Sequence, residues 1–524
     1  MIDGEMQDYA LTLDKFLLHA AKWHPQREVV MAQAGGASQR IGYADLLARS
    51  QRVSSALRAL GVAQGDRVAT LAWNTQGHLE AWYAIIGMGA VCHTLNPRLT
   101  SAQLASMATQ SQARILIVSA DLLPLAREIA AHAPAIARLV VIDEGGAALV
   151  DETDLEPLIA AAEGEALWGA FDENTPAGLC FTSGTTGAPK GVTYTHRSNY
   201  LHTLRMLQAD VMGITAADAV LAVVPMFHAN AWGLPFAAPA AGAKLVLPGR
   251  HTDGATLAAL IEAEQVTLGV GIATVWLGLV EHLDAVGGET PSLKRIIVGG
   301  APLPPALMAR LEQRLGAIVQ TSWGMTELSP GGAFAPPNSA QRHAHVSGRP
   351  AIGLDLLITD AEGVPLPAQR NSEGHLRVRG AAALSRYFGE SKRATDAEGW
   401  FPTGDLAKID DEGNLIITGR AKDLIKSGGE WINPAEIEAA VSALPEVSLA
   451  AVIGRPHPKW GERPVLVVQT RGCDFVTDEV LLAPLHNRVA SWWIPDEIIR
   501  LAAMPLAATG KIDKMRLRTQ YGEG

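Results

Sequence analysis

Ten consecutive residues, Thr182-Ser183-Gly184-Thr185-Thr186-Gly187-Ala188-Pro189-Lys190-Gly191, hold three glycines, four hydroxyls and one lysine. Such a stretch packs poorly in a core but suits an anion. Glycines let backbone N–H groups approach a phosphate, hydroxyls add donors, and Lys190 adds a point charge. It differs from the common nucleotide loop, in which the lysine is followed at once by Ser or Thr; here Pro189 precedes the lysine and Gly191 follows it. On turn chemistry alone, an ordinary Ser/Gly turn is the competing reading. Other chemistry-bearing stretches follow: Ser322-Trp323-Gly324-Met325-Thr326-Glu327, Thr403-Gly404-Asp405, Gly419-Arg420-Ala421-Lys422-Asp423 and Thr509-Gly510-Lys511. A carboxylate such as Asp405 accepts two hydrogen bonds from a vicinal diol, and Arg420 offers a planar fork to phosphate. Taken singly, Glu327, Asp405, Arg420 and Lys511 read more readily as solvated surface charges.

In this order, over residues 182–511, these motifs resemble the signatures of the adenylate-forming superfamily of acyl-CoA synthetases, peptide-synthetase adenylation domains and luciferases. The first 170 residues carry no comparable motif and join by continuity. The resemblance implies ATP and Mg²⁺ as cofactors, with Thr182, Ser183, Gly184, Thr185, Thr186 and Gly187 cradling phosphate. It implies Thr182 and Glu327 as metal ligands and Lys190, Thr326, Glu327 and Lys511 as the catalytic set. Gly300, Ala301, Pro302, Ser322, Gly324, Met325 and Ile417 are implied at the nucleotide, with Trp323 stacking on adenine where the family usually has Tyr. By the same carry-over, Asp405 meets the ribose hydroxyls, Arg420 bridges ribose and phosphate, and Lys422 is the hinge. Lys511, 13 residues from the end, meets the carboxylate and the α-phosphate.

Two further stretches are similar to the fatty-acyl-CoA synthetase branch. Leu424-Ile425-Lys426-Ser427-Gly428-Gly429-Glu430-Trp431 looks like the loop that swings in for the coenzyme A step, with Lys426 and Trp431 at the nucleotide and Gly428 and Gly429 beside the pantetheine. Pro225 to Gly233 looks like the acid-binding segment, with His228 at the carboxylate and Trp232 at the mouth of an acyl cavity. Gly233, Thr274, Trp276, Gly299, Gly324 and Pro330-Gly331-Gly332 are expected around the same cavity. None of these is Asp or Glu, which disfavours an amino-acid substrate and favours an apolar acid. The expected function is an acid–CoA ligase forming acyl-AMP and then acyl-CoA, on a medium- or long-chain fatty acid. Short thioether acids, aryl acids and a separate carrier protein as acceptor remain alternatives. A luciferase-like oxygenase and a non-catalytic nucleotide binder rank lower.

The elements that must position these residues alternate between strand and helix patterns. Helices are expected at 43–60, 79–90, 122–131, 255–264, 275–286 and 304–315, and strands at 67–72, 113–119, 139–142, 220–225, 244–247, 266–272, 293–298 and 317–321. That rhythm predicts parallel sheets covered by helices, set in tandem, with His93–Pro97 a connecting loop and the acidic stretch 144–176 a subdomain connection. Short strands with Gly turns over 346–417 suggest a small antiparallel, β-barrel-like subdomain. The fold class is therefore multidomain α/β. A large N-terminal domain (1–418) holds two parallel-sheet subdomains and the barrel-like one, 419–423 is a hinge, and a small mobile α+β domain spans 424–524. A chain of 524 residues exceeds one ordinary core.

A net charge of −11 argues against a nucleic-acid partner. Cys92, Cys180 and Cys473 are too few and too scattered for a disulfide scaffold, which fits the cytoplasm. No secretory leader and no membrane span are expected. His343-x-His345 lacks the further ligands a metal site needs. The partners expected are a small carboxylic acid, ATP and coenzyme A, and the resemblance allows a homodimer.

Overall fold

The computed structural model describes residues 3–33, 38–142, 153–164, 166–182, 189–338, 342–472, 476–486, 488–507 and 510–522. Two largely parallel sheets form its centre. The seven-stranded sheet runs in the order Thr153–Asp154, Arg138–Ile142, Ile115–Ser119, Arg67–Leu71, Val91–Thr94, Pro176–Phe181 and Gly191–Thr195, with only the last strand antiparallel to its neighbour. The nine-stranded sheet holds Arg295–Val298, Leu268–Gly271, Ala219–Ala222 and Lys244–Leu247 at its centre and Glu28–Ala32 and Ser38–Gly42 at one edge. Central strands such as Ile115–Ser119 are continuous apolar runs buried on both faces, as helix-covered parallel strands must be.

The sheets are interleaved rather than set in tandem. Val29, Val30 and Met31 pair in parallel with Leu245, Val246 and Leu247, so the first strand of the chain completes the later sheet. Tyr43 and Tyr83 seal the junction, donating their hydroxyls to the carbonyls of Ala243 and Pro235 at 2.7 and 2.8 Å. Val91–Thr94 is a fully buried strand, so His93 lies inside a sheet, not in the expected loop. Its neighbours Val91 and Cys92 carry the β propensity, and the histidine obscures it.

Most local periods translate directly: Tyr43–Ala59, Gly254–Glu264, Ala273–Val286 and Pro305–Leu315 are helices. Residues 354–420 form a four-stranded antiparallel meander, Leu354–Thr359, Gly374–Gly380, Phe401–Ile409 and Leu415–Arg420. A small C-terminal domain follows, a five-stranded sheet against the helices Pro434–Ser442 and Lys514–Tyr521. No helix among the described residues is long and apolar enough to cross a membrane.

Candidate active site

The residues singled out by type and spacing gather where the parallel strands end. In open α/β sheets, the C-terminal strand ends are where ligands bind, because the connecting loops diverge there. Strand Pro176–Phe181 delivers Thr182, strand Leu268–Gly271 delivers Ile272 and Thr274, strand Arg295–Val298 delivers Gly299 and Gly300, and strand Ile318–Gly324 carries Ser322 and Trp323.

The hydroxyl-rich loop is pinned at its base. Thr182 N–H donates to the Lys190 carbonyl at 2.9 Å, and Lys190 N–H donates to the Thr182 hydroxyl at 3.4 Å. Ser183, Gly184, Thr185, Thr186 and Gly187 lie outside the described residues. The Lys190 ammonium sits 4.9 Å from the Tyr387 ring centre. The Tyr387 hydroxyl in turn donates to Glu327 Oε1 at 2.8 Å. Glu327 is buried and its carbonyl accepts from Leu384 N–H, while Tyr194 donates to the Thr326 carbonyl. Segment 384–388 thus ties both motifs together, since Phe388 N–H also donates to the Gly191 carbonyl. Sequence reasoning missed Tyr387. An aromatic in a Gly- and Ser-containing stretch carries no distinctive local signal.

Asp405 is the best-defined acid of the cleft. The antiparallel register of Phe401–Ile409 with Leu415–Arg420 sets Asp405 directly opposite Arg420. Arg420 Nε meets Asp405 Oδ1 at 2.7 Å, and the Trp323 indole N–H donates to Asp405 Oδ2 at 2.9 Å. Burial pushes the Asp405 carboxyl above its ordinary value, against the pull of Arg420 and the indole hydrogen bond.

Lys511 reaches this cleft from the C-terminal domain. A methyl group added at Gly300 would lie 3.5 Å from Lys511 Cε, and one added at Gly510 would collide with Ile272 at 2.4 Å. The small domain is therefore closed on the large one, with Lys511 among Arg420, Lys422 and Asp405. The side chain stays reachable by solvent through the cleft. Desolvation by the surrounding protein, with Arg420 and Lys422 adding repulsion, pushes its ammonium down to about 8.

Gly299 and Gly300 form a floor on which a large ring rests. A methyl at Gly299 would come within 2.4 Å of Ser322 Oγ and 3.0 Å of the Trp232 indole. Trp232 belongs to a left-handed turn in which Ala229, Asn230, Ala231 and Trp232 all have positive φ, between 43° and 54°. Each non-glycine residue held there costs roughly 1–2 kcal/mol, so the turn needs its surroundings to hold it. Beneath it, methyl groups at Gly233 or Gly331 would meet the buried His202 ring at 2.9 Å. His202 Nε2 accepts from Gly331 N–H at 3.0 Å, so this ring is fixed in place. His228 lines a small cleft with Asn96, Leu99 and Phe227. Its imidazole is pushed down to about 4, by burial first and then by Lys511 and Arg98.

Other expected residues fall elsewhere or fit less closely. Gly324 is packed against the Pro330 carbonyl, and Ala301 and Pro302 are exposed at the strand end. Ile417 and Met325 pack against the core of the meander. Trp276 is fully buried beneath Gly269 and Gly271, a core position and not a cavity wall. The hairpin Ile425–Ser427 and Glu430–Ile432 turns at Gly428 and Gly429, both with positive φ. Lys426 lies 5.4 Å from the exposed Trp431 ring. Among the described residues no hydrogen bond, ion pair or ring contact joins this hairpin to Glu327, Asp405 or Lys511. His343 and His345 stack on each other at 5.6 Å, and no group of three or more metal-ligating side chains occurs among the described residues.

The family model of the AMP-binding enzymes matches residues 17–388, and that of the AMP-binding enzyme C-terminal domain matches residues 436–511. The chain is similar to a 3-methylmercaptopropionyl-CoA ligase of Ruegeria lacuscaerulensis, 40% identical over 99% of this chain and 98% of the relative. It is similar to a medium-chain-fatty-acid–CoA ligase of Ectopseudomonas oleovorans, 39% identical with the same two coverages. Among solved structures, ATP-bound MatB from Rhodopseudomonas palustris superposes with a TM-score of 0.86 at 26% identity, over 98% of this chain and 99% of the other.

Proposed function

The chain belongs to the AMP-binding enzyme family, and we propose that it is an ATP-dependent carboxylic acid–CoA ligase acting in two steps. The acid's carboxylate oxygen attacks the α-phosphorus of ATP, pyrophosphate leaves, and acyl-AMP forms. The thiolate of coenzyme A then attacks the acyl carbonyl and AMP leaves. The observation that carries this reading is the delivery of Lys511 from the small domain to Gly300, beside Asp405 and Arg420.

Each side chain has a task in the first step. Asp405 receives the ribose hydroxyls, Arg420 spans ribose and α-phosphate, and Trp323 flanks adenine. Gly300, Ala301 and Pro302 admit the base edge. Lys511 offsets the negative charge that builds on the α-phosphate as the acyl phosphate forms, work that is electrostatic and not covalent. Lys190 and the hydroxyl loop hold the departing pyrophosphate. Glu327 and the Thr182 hydroxyl are hard oxygen donors, and one carboxylate with one hydroxyl suits Mg²⁺ held mainly by substrate phosphates. Bound there, the cation would neutralise phosphate charge. Lys422 is the hinge about which the domain 424–524 turns, bringing Gly428 and Gly429 to the cleft for the thiol step.

The acid is aliphatic and of medium length, or a thioether of similar size. Trp232 lies over Gly299, no acid stands among the expected lining residues, and His202 with Met206 fills the space under Gly233 and Gly331. A cytoplasmic setting suits Cys92 and Cys180, both buried and unpaired thiols. The test is AMP release with ATP, Mg²⁺ and coenzyme A across straight-chain, thioether and aryl acids. An optimum among medium-chain or thioether acids supports the reading; activity confined to aryl acids overturns its substrate part.

A further inference from the structure

The indole N–H of Trp323 and the carboxylate of Asp405 come from strands 82 residues apart, yet meet at 2.9 Å in a buried contact. Trp323 is 8% exposed and Asp405 is 1% exposed. The ring has little freedom to swing away, because a methyl at Gly332 would stand 2.5 Å from its six-membered ring. Asp405 is fixed at its backbone too, where its N–H donates to the Thr403 hydroxyl at 3.1 Å and that hydroxyl donates to the Leu376 carbonyl at 2.8 Å.

An ionised carboxylate offers about four lone-pair sites, two on each oxygen. Arg420 Nε takes one on Oδ1 and the Trp323 indole takes one on Oδ2. One acceptor site is then left on each oxygen, in a plane set by two internal donors. That is the pattern a cis-diol reads, with one hydroxyl to each oxygen. A flat ring at position 323 suffices to stack on a base, and a phenylalanine would supply it. Only a ring with an N–H on this edge also sets the carboxylate.

We propose that Trp323 is a positioning residue for ribose recognition: its indole N–H orients Asp405 so that both ribose hydroxyls are read, and the chain thereby discriminates ribo- from 2′-deoxyribonucleotides. This rests on the assignment of Asp405 to the ribose proposed above. Losing one hydrogen bond to a charged acceptor is worth about 10- to 100-fold, so the intact enzyme prefers ATP over 2′-dATP by about that factor in kcat/KM.

The experiment compares kcat/KM for ATP and 2′-dATP in the full-length enzyme, W323F, D405N, and a protein carrying 3-benzothienylalanine at position 323. The last keeps the shape of the indole and replaces its N–H by sulfur, so retained shape separates positioning from packing if W323F melts early. The expected result is a ratio that falls at least fivefold in both position-323 proteins and approaches one in D405N, with KM for ATP rising more than kcat falls. A ratio that stays within twofold of the parent in the benzothienyl protein, while D405N collapses it, overturns the inference and leaves the ribose assignment standing. A D405N ratio equal to the parent's overturns both.

Discussion

Replacing Lys511 by alanine should separate the two half-reactions. The ammonium enters a cleft already holding Arg420 and Lys422, and among the described residues acting on it Asp405 is the acid. Desolvation there, and then repulsion from Arg420 and Lys422, lower its affinity for a proton. Once ATP binds, a unit charge about 4 Å from a phosphoryl oxygen in an environment of effective dielectric about 20 contributes roughly 4 kcal/mol. Solvent reaching Lys511 through the cleft and the relief of its repulsion with Arg420 and Lys422 both offset part of that. A net loss of about 3–4 kcal/mol corresponds to a 10²- to 10³-fold fall in the rate of adenylation. Thioester formation from preformed acyl-AMP needs no charge at that point and should fall less than fivefold. The assays are acid-dependent ATP–pyrophosphate exchange for the first step and conversion of synthetic acyl-AMP with coenzyme A, followed by chromatography, for the second. Equal losses in the two steps would refute the argument, because they would mark a folding or docking defect instead of a charge acting on one transition state.

The same lysine sets a pH limb. Its folded-state value is lowered to about 8 from the ordinary 10.5, so the charged form prevails below that pH and is lost as pH rises through it. The adenylation kcat/KM for ATP should therefore decline on the alkaline side with a midpoint near 8, and the decline should flatten in Lys511→Arg, whose guanidinium stays charged; identical alkaline midpoints would count against it. Tyr387→Phe removes the donor to Glu327 Oε1, and an apparent Mg²⁺ requirement raised several-fold at fixed ATP is expected, since a hydrogen bond to a charged group is worth about 1.5–3 kcal/mol and this one is partly exposed. An unchanged Mg²⁺ titration would remove Tyr387 from the metal side of the site. Ala231 sits at φ 46° inside the turn that carries Trp232. Ala231→Gly relieves roughly 1–2 kcal/mol of that strain but gives up a fully buried methyl and adds chain entropy of similar size, so the denaturant midpoint should stay close to the parent's; a stability loss above about 1 kcal/mol would show that the turn is not strained at that residue.

What the sequence made legible was chemistry carried by short motifs and elements carried by local period. Asp405 and Arg420 were named from two separate motifs, and cross-strand register then brought them together as an ion pair. Lys511 was named from its Gly-Lys context, and the structure put it at Gly300, more than 200 residues away in the chain. Contacts that depend on long-range packing were not legible. Tyr387 reaches Glu327 across 60 residues, and no local pattern announces such a partner. Trp323 was expected to offer adenine a face, while its edge turned out to hold Asp405. The interleaving of the sheets was equally hidden. Val29, Val30 and Met31 are a short apolar run, and nothing local says which sheet such a run joins, a choice made by parallel pairing with residues some 215 positions later.

The most direct measurement is a product balance in one vessel: enzyme, ATP, Mg²⁺, coenzyme A and octanoate or a thioether acid, sampled by mass spectrometry. Acyl-CoA and AMP appearing in equal amounts, with acyl-AMP accumulating on the enzyme when coenzyme A is withheld, is the predicted result. Formation of ADP in place of AMP, or AMP released at the same rate with and without coenzyme A and no thioester formed, would contradict the two-step ligase.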